Sequence, residues 1–135
     1  MAFRYPQKVL FKYCDPAGIV FFPRYFEMMN DCVETFFSDA LDWPFQLLLR
    51  TDGVPTASIE TRFLRPSRHG DMLELALRVE KVGRTSLTYH MVADSDGEIR
   101  FETRATLVHV DGLGKPTSWP DTVREKLKDW EDKAE

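Results

Sequence analysis

Hydrophobic and polar residues change their spacing partway along this 135-residue chain. Between residues 23 and 38 the apolar residues recur three or four positions apart, as they do along one side of an α-helix. From residue 57 to residue 107 they alternate with polar residues in four separate runs, as in β-strands that bury one face. The helical stripe consists of Phe22, Phe26, Met29, Val33 and Phe36, widened by Tyr25, Met28, Cys32 and Phe37.

Weaker patterns surround these elements. Residues 8–14 are rich in β-branched and aromatic side chains and predict a first strand. Pro23 suits the first turn of the long helix, where a backbone N–H has no helical partner, and a helix apolar over most of its circumference is expected to be buried. A short helix is predicted at residues 44–50. A polar last helix is predicted beyond residue 116, with Val123, Leu127 and Trp130 on one side.

The four alternating runs are separated by the turn-forming sequences SRHGD, VGR and DSDGE. Such short connections favour an antiparallel meander. The predicted order is therefore a strand, a buried helix, four antiparallel strands and a C-terminal helix, in one domain over residues 1–135. An antiparallel five-stranded sheet wrapped around a long central apolar helix buries both elements. This α+β architecture is the hotdog fold.

Composition narrows the function classes. Hydrophobic residues make up 43% of the chain and aromatic residues 13%, enough for a substantial core. The net charge of −4 argues against a nucleic-acid partner, although local arginines are able to bind a phosphorylated ligand. Two cysteines do not suggest a disulfide framework. With neither a signal-like N-terminus nor a long apolar run, the sequence predicts a cytoplasmic protein without a membrane partner.

Asp15 lies in the break between the predicted first strand and the long helix. One interpretation makes it a turn residue ahead of Pro16. The other is chemical, because the strand brings the carboxylate to the helix start, where backbone N–H groups lack partners and the dipole is positive. A carbonyl oxygen bound there would be polarised, and the carboxylate would attack the carbonyl carbon or activate a water molecule. The sequence leaves both interpretations open.

The other reactive side chains form no recognisable constellation. His69, His90 and His109 do not have the spacing of metal ligands, so no metal site is predicted. Cys14 lies beside Asp15, whose negative charge disfavours a thiolate, and Cys32 lies within the apolar helix.

Basic residues near two turns have two interpretations, a solvated rim or a phosphate-binding mouth. These residues are Arg62, Arg65, Arg68, Lys81 and Arg84.

The stretch YCDPAGIVFFPRYFE, residues 13–27, resembles the signature of hotdog-fold acyl-CoA thioesterases of the 4-hydroxybenzoyl-CoA thioesterase type. In that signature Asp-x-x-Gly-x-Val precedes an aromatic pair and the central helix. The order of elements extends the resemblance over residues 5–110. The resemblance implies hydrolysis of an acyl-CoA thioester to a carboxylic acid and free coenzyme A. It implies no cofactor, since coenzyme A is part of the substrate.

The same resemblance assigns roles to individual positions. Asp15 matches the catalytic carboxylate, acting as nucleophile or general base. The backbone N–H of Phe22 matches the group that polarises the thioester carbonyl, and Gly18 matches the glycine that passes close to the substrate. Asn30, predicted to bind the substrate, aligns with a carboxylate in the middle of the helix of the 4-hydroxybenzoyl-CoA enzyme. The strand that contacts coenzyme A would begin at Arg84, Thr85 and Ser86.

Hotdog proteins form homodimers, often paired again into tetramers, with sites between protomers, so the resemblance implies at least a homodimer. Apolar residues on the sheet face opposite the helix suggest an interface there. A non-catalytic acyl-CoA-binding module remains the main alternative. A hotdog dehydratase is less favoured, because no histidine is near the helix in sequence. The apolar residues of that sheet face are Val92, Val108 and Val110.

Overall fold

The structure is a computed structural model and describes residues 1–132; the end of the predicted domain, residues 133–135, lies outside the described residues. No helix in residues 1–132 is long and apolar enough to cross a membrane. The elements are β1 (Phe3–Lys8), α1 (Arg24–Asp39), α2 (Phe45–Leu48), β2 (Thr56–Phe63), β3 (Met72–Val82), β4 (Ser86–Ser95), β5 (Glu98–Val108) and α3 (Asp121–Trp130).

The five strands form one antiparallel sheet in the order β1-β3-β4-β5-β2. Strands β3, β4 and β5 form the predicted meander. Asp96 and Gly97 supply the two positive φ angles, 52° and 79°, that a tight two-residue hairpin requires. Strand β2 lies at the edge beside β5, so the prediction that it neighbours β3 is wrong. Residues 64–71 instead cross to the other side of the sheet before β3 begins.

The predicted first strand at residues 8–14 is also wrong. The strand is β1, which pairs with β3 from Phe3 opposite Leu77 to Lys8 opposite Met72. Residues Phe11–Tyr13 form a 3-10 turn instead. Pairing with a neighbouring strand decides which segment is extended, and it overrides local β-propensity. Pro6 is tolerated because β1 is an edge strand.

The predicted long helix is confirmed to within one residue at each end, and its apolar side packs on the sheet. Met28, Cys32, Phe36 and Phe37 are fully buried. The helix is not apolar all round, however, because one side is exposed to solvent. The first two aromatics of the predicted stripe, Phe22 and Phe26, are exposed too. The exposed polar residues of α1 include Glu27, Asn30, Asp31, Glu34 and Ser38.

The sheet face opposite α1 is more polar than its valines suggested. Val92 and Val108 are half-buried there. Arg104 donates two hydrogen bonds of 2.7 Å to the carboxylate of Glu80 across this face. The larger exposed apolar surface is elsewhere, at the start of α1 and along β2.

Candidate active site

A small hairpin over residues 13–21 fixes the position of Asp15. The N–H of Phe21 donates to the Tyr13 carbonyl at 2.9 Å, and the N–H of Asp15 donates to the Ile19 carbonyl at 2.9 Å. Gly18 has a φ of +80°, a left-handed conformation that costs glycine little. Its N–H donates to the Asp15 carbonyl at 2.9 Å and closes the turn.

The Asp15 carboxylate serves the turn with one oxygen only. Its Oδ1 accepts the N–H of Ala17 at 2.9 Å, which is the side-chain-to-backbone turn expected of aspartate before proline. Its Oδ2 accepts no hydrogen bond from residues 1–132. The side chain is half-buried. One carboxylate oxygen therefore stabilises the loop while the other is available to a ligand.

The backbone at the start of α1 supplies an unpaired donor. The N–H of Arg24 donates to the Phe21 carbonyl at 2.8 Å and that of Tyr25 to the Phe22 carbonyl at 3.1 Å. Within residues 1–132 the N–H of Phe22 donates to no acceptor. Phe22 directly follows Phe21, whose N–H pairs with Tyr13 in the hairpin. One short segment, residues 15–22, therefore carries both the carboxylate and the unpaired donor.

The segment before β3 holds this hairpin against the rest of the fold. The N–H of Val20 donates to the Ser67 carbonyl at 2.9 Å, and that of His69 donates to the Gly18 carbonyl at 3.1 Å. Arg68, one of the predicted basic residues, forms an isolated bridge with Ile19 and so lies beside the Asp15 turn.

An ion pair between Arg100 and Asp71 fixes the position of the segment before β3. Arg100 Nη1 donates to Asp71 Oδ2 at 2.7 Å and to the Pro66 carbonyl at 3.2 Å. The backbone N–H of Arg68 and the Arg100 guanidinium lower the pKa of Asp71, so the carboxylate stays ionised. The sequence alone does not indicate this pair, because Asp71 precedes β3 and Arg100 lies on β5, 29 residues further along the chain.

Exposed aromatic rings surround the start of α1. The ring of Phe63, at the end of β2, lies 5.6 Å from Phe22, 5.7 Å from Tyr25 and 6.2 Å from Phe26, measured between centroids. Phe22 is 56% exposed and Phe63 43% exposed. A cluster of large exposed apolar side chains generally marks a binding surface. The aromatic cluster around Phe63 lies beside the unpaired backbone N–H of Phe22.

A cavity of about 290 Å³ extends from this cluster along α1. Asn30 and Phe26 line it, and they also line an open cleft bounded by Tyr13, which is two residues from Asp15. Phe26 and Asn30 therefore lie between the cavity and this cleft. Of the predicted site residues, Asn30 lines the cavity. The remaining lining residues are Met29, Val33, Phe45, Val54, Thr56, Ile59, Tyr89 and Leu107.

The predicted coenzyme A segment lies elsewhere in the chain. Arg84 and Thr85 form the turn before β4, which begins at Ser86 as expected. This turn is at the end of β3, whereas the Asp15 hairpin contacts the segment before its start. The eleven residues of β3 separate the two by roughly 35 Å. A single chain therefore does not bring Asp15 and Arg84 together.

The turn that contains Arg84 and Thr85 is instead hydrogen-bonded to the segment between β5 and α3. Arg84 Nη1 donates to Ser118 Oγ at 2.8 Å. The Thr85 carbonyl accepts the N–H of His109 at 2.7 Å, and the Ser86 carbonyl accepts Trp119 Nε1 at 3.1 Å. Of the other predicted basic residues, Arg62 lies opposite Glu102 on β5.

Each histidine lies in a different environment. His69 packs beside Phe11, His90 is 3.9 Å from Glu102, and His109 is buried. Within residues 1–132, no three potential ligands among His, Cys, Asp and Glu lie close enough together to hold a metal ion. Burial raises the pKa of the Cys32 thiol to about 12, so it is protonated at neutral pH and a poor nucleophile.

Solved structures with the same fold include enzymes that act on coenzyme A thioesters. A 1,4-dihydroxy-2-naphthoyl-CoA thioesterase from Synechocystis superposes with a TM-score of 0.87 over 96% of this chain and 97% of its own, at 17% identity. A gentisyl-coenzyme A thioesterase superposes with a TM-score of 0.85 over 93% and 99%, at 21% identity.

A Staphylococcus aureus protein solved in complex with CoA superposes with a TM-score of 0.89 over 100% of this chain and 89% of its own, at 13% identity. At these identities the similarity establishes the hotdog fold. No curated protein is similar enough in sequence to count as a match. The sequence model of the thioesterase-like superfamily matches residues 9–127, and this chain therefore belongs to that superfamily.

Proposed function

We propose that this protein hydrolyses an acyl-CoA thioester to a carboxylic acid and free coenzyme A. The observation that carries the proposal is the free Oδ2 of Asp15 in the hairpin that leads directly to the unpaired N–H of Phe22. A carboxylate and a hydrogen-bond donor so arranged suit a carbonyl that must be attacked and polarised together. Membership of the thioesterase-like superfamily supports the same reaction.

In the proposed reaction the N–H of Phe22 and the positive end of the α1 dipole stabilise negative charge on the thioester oxygen. Asp15 then acts in one of two ways. As a nucleophile, its carboxylate adds to the carbonyl carbon, the C–S bond breaks with release of the coenzyme A thiolate, and water hydrolyses the resulting anhydride. As a general base, it removes a proton from the water that attacks the carbonyl carbon, the C–S bond breaks, and the proton passes from Asp15 to the departing coenzyme A thiolate.

We further propose a homodimer joined at β2. Of the two edges of the sheet, β1 carries Pro6, which cannot donate a ladder hydrogen bond, while β2 contains no proline. An unblocked edge strand is a template for pairing with another chain. Ile59 and Phe63 on β2 are each 43% exposed. A second copy would cover them and would bring its own surfaces to the cavity mouth.

The test is thiol release from a panel of aromatic and aliphatic acyl-CoA thioesters, comparing the wild type with Asp15→Asn. Asparagine keeps an oxygen that accepts the Ala17 N–H, so the turn is retained while the carboxylate is removed. Turnover is expected to fall at least a hundredfold, within the range that loss of a catalytic acid-base group produces, about 10²–10⁴.

Asp111→Asn is the matched control. The Oδ1 of Asp111 accepts the N–H groups of Leu113 and Lys115 at 2.9 and 3.0 Å, which is a turn role without proposed chemistry. This variant is expected to retain wild-type turnover. If Asp15→Asn were as active as Asp111→Asn, Asp15 would be a turn residue only. Binding of acyl-CoA thioesters without any turnover by the wild type would favour the non-catalytic binding module.

A further inference from the structure

The cavity along α1 contains a polar group that the chain itself does not satisfy. Tyr89, on β4, lines this cavity and is only 4% exposed. Its hydroxyl forms no hydrogen bond with any of residues 1–132, and unlike the unpaired Tyr25 hydroxyl it is not fully buried. A polar atom at a cavity wall without a protein partner takes its hydrogen bond from water or from a ligand. In a cavity otherwise lined mainly by apolar side chains, the missing partner points to a ligand.

The sheet leaves space beside Tyr89 for such a ligand. Tyr89 lies opposite Ala105 on β5, and Ala105 lies opposite Ile59 on β2, so the three form one row across the sheet. Adjacent strands are about 4.8 Å apart. Ile59 and Tyr89 both line the cavity, so the cavity reaches from the exposed edge at Ile59 to the buried tyrosine, two strands or about 10 Å away.

The hydroxyl of Tyr89 acts as a neutral hydrogen-bonding group. Burial, and to a smaller extent the nearby Cys32, raises the pKa of Tyr89 to about 12. At neutral pH the phenol therefore keeps its proton and is able both to donate and to accept a hydrogen bond. It is suited to recognising an oxygen atom, and it is not suited to removing a proton.

We propose that the Tyr89 hydroxyl binds an oxygen carried by the acyl group, so that the substrate is a compact acyl group with a hydroxyl or carbonyl oxygen remote from the thioester. This inference rests on the proposed function and specifies its substrate class. The cavity volume of about 290 Å³ is at the small end of ligand pockets, which measure about 300–1,000 Å³. Along α1 the lining runs from Phe26 to Val33, roughly 6 to 16 Å beyond Phe22.

A site built to pair with a substrate oxygen discriminates against the analogue that lacks it, because its own polar group is then left unpaired. Two matched pairs of substrates test this property: 4-hydroxybenzoyl-CoA against benzoyl-CoA, and 6-hydroxyhexanoyl-CoA against hexanoyl-CoA. The quantity compared is the ratio of kcat/KM within each pair. The wild type is expected to prefer the oxygenated member at least tenfold in one pair or both.

Tyr89→Phe removes only the hydroxyl oxygen and retains the ring. The preference is expected to fall at least tenfold, because the oxygenated substrate loses its partner and the unsubstituted substrate no longer leaves a hydroxyl unpaired. Tyr5→Phe is the matched control, since Tyr5 is a half-buried tyrosine on β1 outside the cavity, and it is expected to keep the wild-type ratio. Thermal unfolding of each variant verifies that the fold is retained.

The outcomes separate this inference from the function on which it rests. If the wild type hydrolyses the thioesters without preference, or if Tyr89→Phe keeps the preference, the role of Tyr89 is refuted and the thioesterase proposal stands. If the wild type hydrolyses none of them, the proposed function fails. Calorimetric binding of the same thioesters to wild type and Tyr89→Phe then decides the inference, and an unchanged affinity ratio refutes it.

Discussion

Replacement of Asp52 by asparagine should destabilise the fold through a single buried histidine. His109 is 2% exposed, and its ring stacks on Trp119 with centroids 5.1 Å apart. Its Nδ1 lies 3.0 and 3.1 Å from the carbonyl oxygens of Thr117 and Ser118. Because carbonyl oxygens only accept hydrogen bonds, Nδ1 must carry a proton.

The opposite ring nitrogen also faces an acceptor. His109 Nε2 lies 2.6 Å from Asp52 Oδ2. The Thr51 side chain and then His109 lower the pKa of Asp52, so the carboxylate is ionised and Nε2 must carry a proton as well. His109 is thus hydrogen-bonded at both ring nitrogens and paired with the Asp52 carboxylate. The pair joins the segment before β2 to the segment before α3.

Removing one partner of a fully buried ion pair costs about 3–5 kcal/mol, because the other charge is left unpaired. The Asp52 side chain is 22% exposed, so water would compensate part of that loss. We expect Asp52→Asn to lower the free energy of unfolding by about 2–3 kcal/mol. For a domain of this size that corresponds to a Tm lower by roughly 8–12 °C.

The measurement is denaturant unfolding at several pH values, with nuclear magnetic resonance of the two ring N–H protons as a direct check of protonation. Because the folded-state pKa of Asp52 is lowered, its contribution is complete above the unfolded pKa of about 3.9 and is lost as the pH falls through the folded value. The difference between wild type and Asp52→Asn should therefore be full at pH 7 and narrow below about pH 4.

Asp42→Asn is the control for this prediction. Asp42 is 3.9 Å from Lys126 with its side chain 86% exposed, and asparagine tolerates its positive φ of 52°. This change should alter stability by less than about 0.5 kcal/mol. An equally small effect of Asp52→Asn at pH 7 would refute the buried ion pair.

Two further predictions concern the β2 edge and the cysteines. Ser58→Lys places like charges on the β2 edges of both copies, so the mass measured by sedimentation velocity should fall from twice 15.7 kDa to 15.7 kDa. The control Lys8→Glu on β1 should leave the mass unchanged. A monomeric wild type would contradict the proposed dimer. Cys32 is fully buried and its pKa is about 12. A thiol reagent should therefore label the half-buried Cys14 first and should label Cys32 only on unfolding. Comparable labelling rates of the two cysteines in the folded protein would contradict this prediction.

Much of the secondary structure follows from local spacing of side chains. The apolar stripe predicted α1 to within one residue at each end, since burial on one helix face requires that spacing. Strict alternation predicted β3, β4 and β5 for the corresponding reason. The sequence from Asp15 to Gly18 predicted a turn before the helix, because the residues that favour a turn are adjacent in the chain; the hairpin that this turn closes was not predicted.

The order of strands was decided only by tertiary structure. Alternation shows that β2 has two faces, but it does not show which strand is its neighbour, and a long connection is able to place it at either edge. Residues 8–14 had strand-like composition, yet Phe3–Lys8 forms the strand because it meets β3. Such choices depend on partners distant in sequence.

The same distinction applies to the site. The sequence by itself determined the carboxylate of Asp15 and the helix that begins beside it, since both arise from one continuous stretch. Only the tertiary structure placed Arg84 at the far end of β3 from Asp15, held the hairpin with Asp71 and Arg100, and left the Tyr89 hydroxyl unpaired in a cavity. These arrangements come from contacts between segments tens of residues apart, which local periodicity does not record.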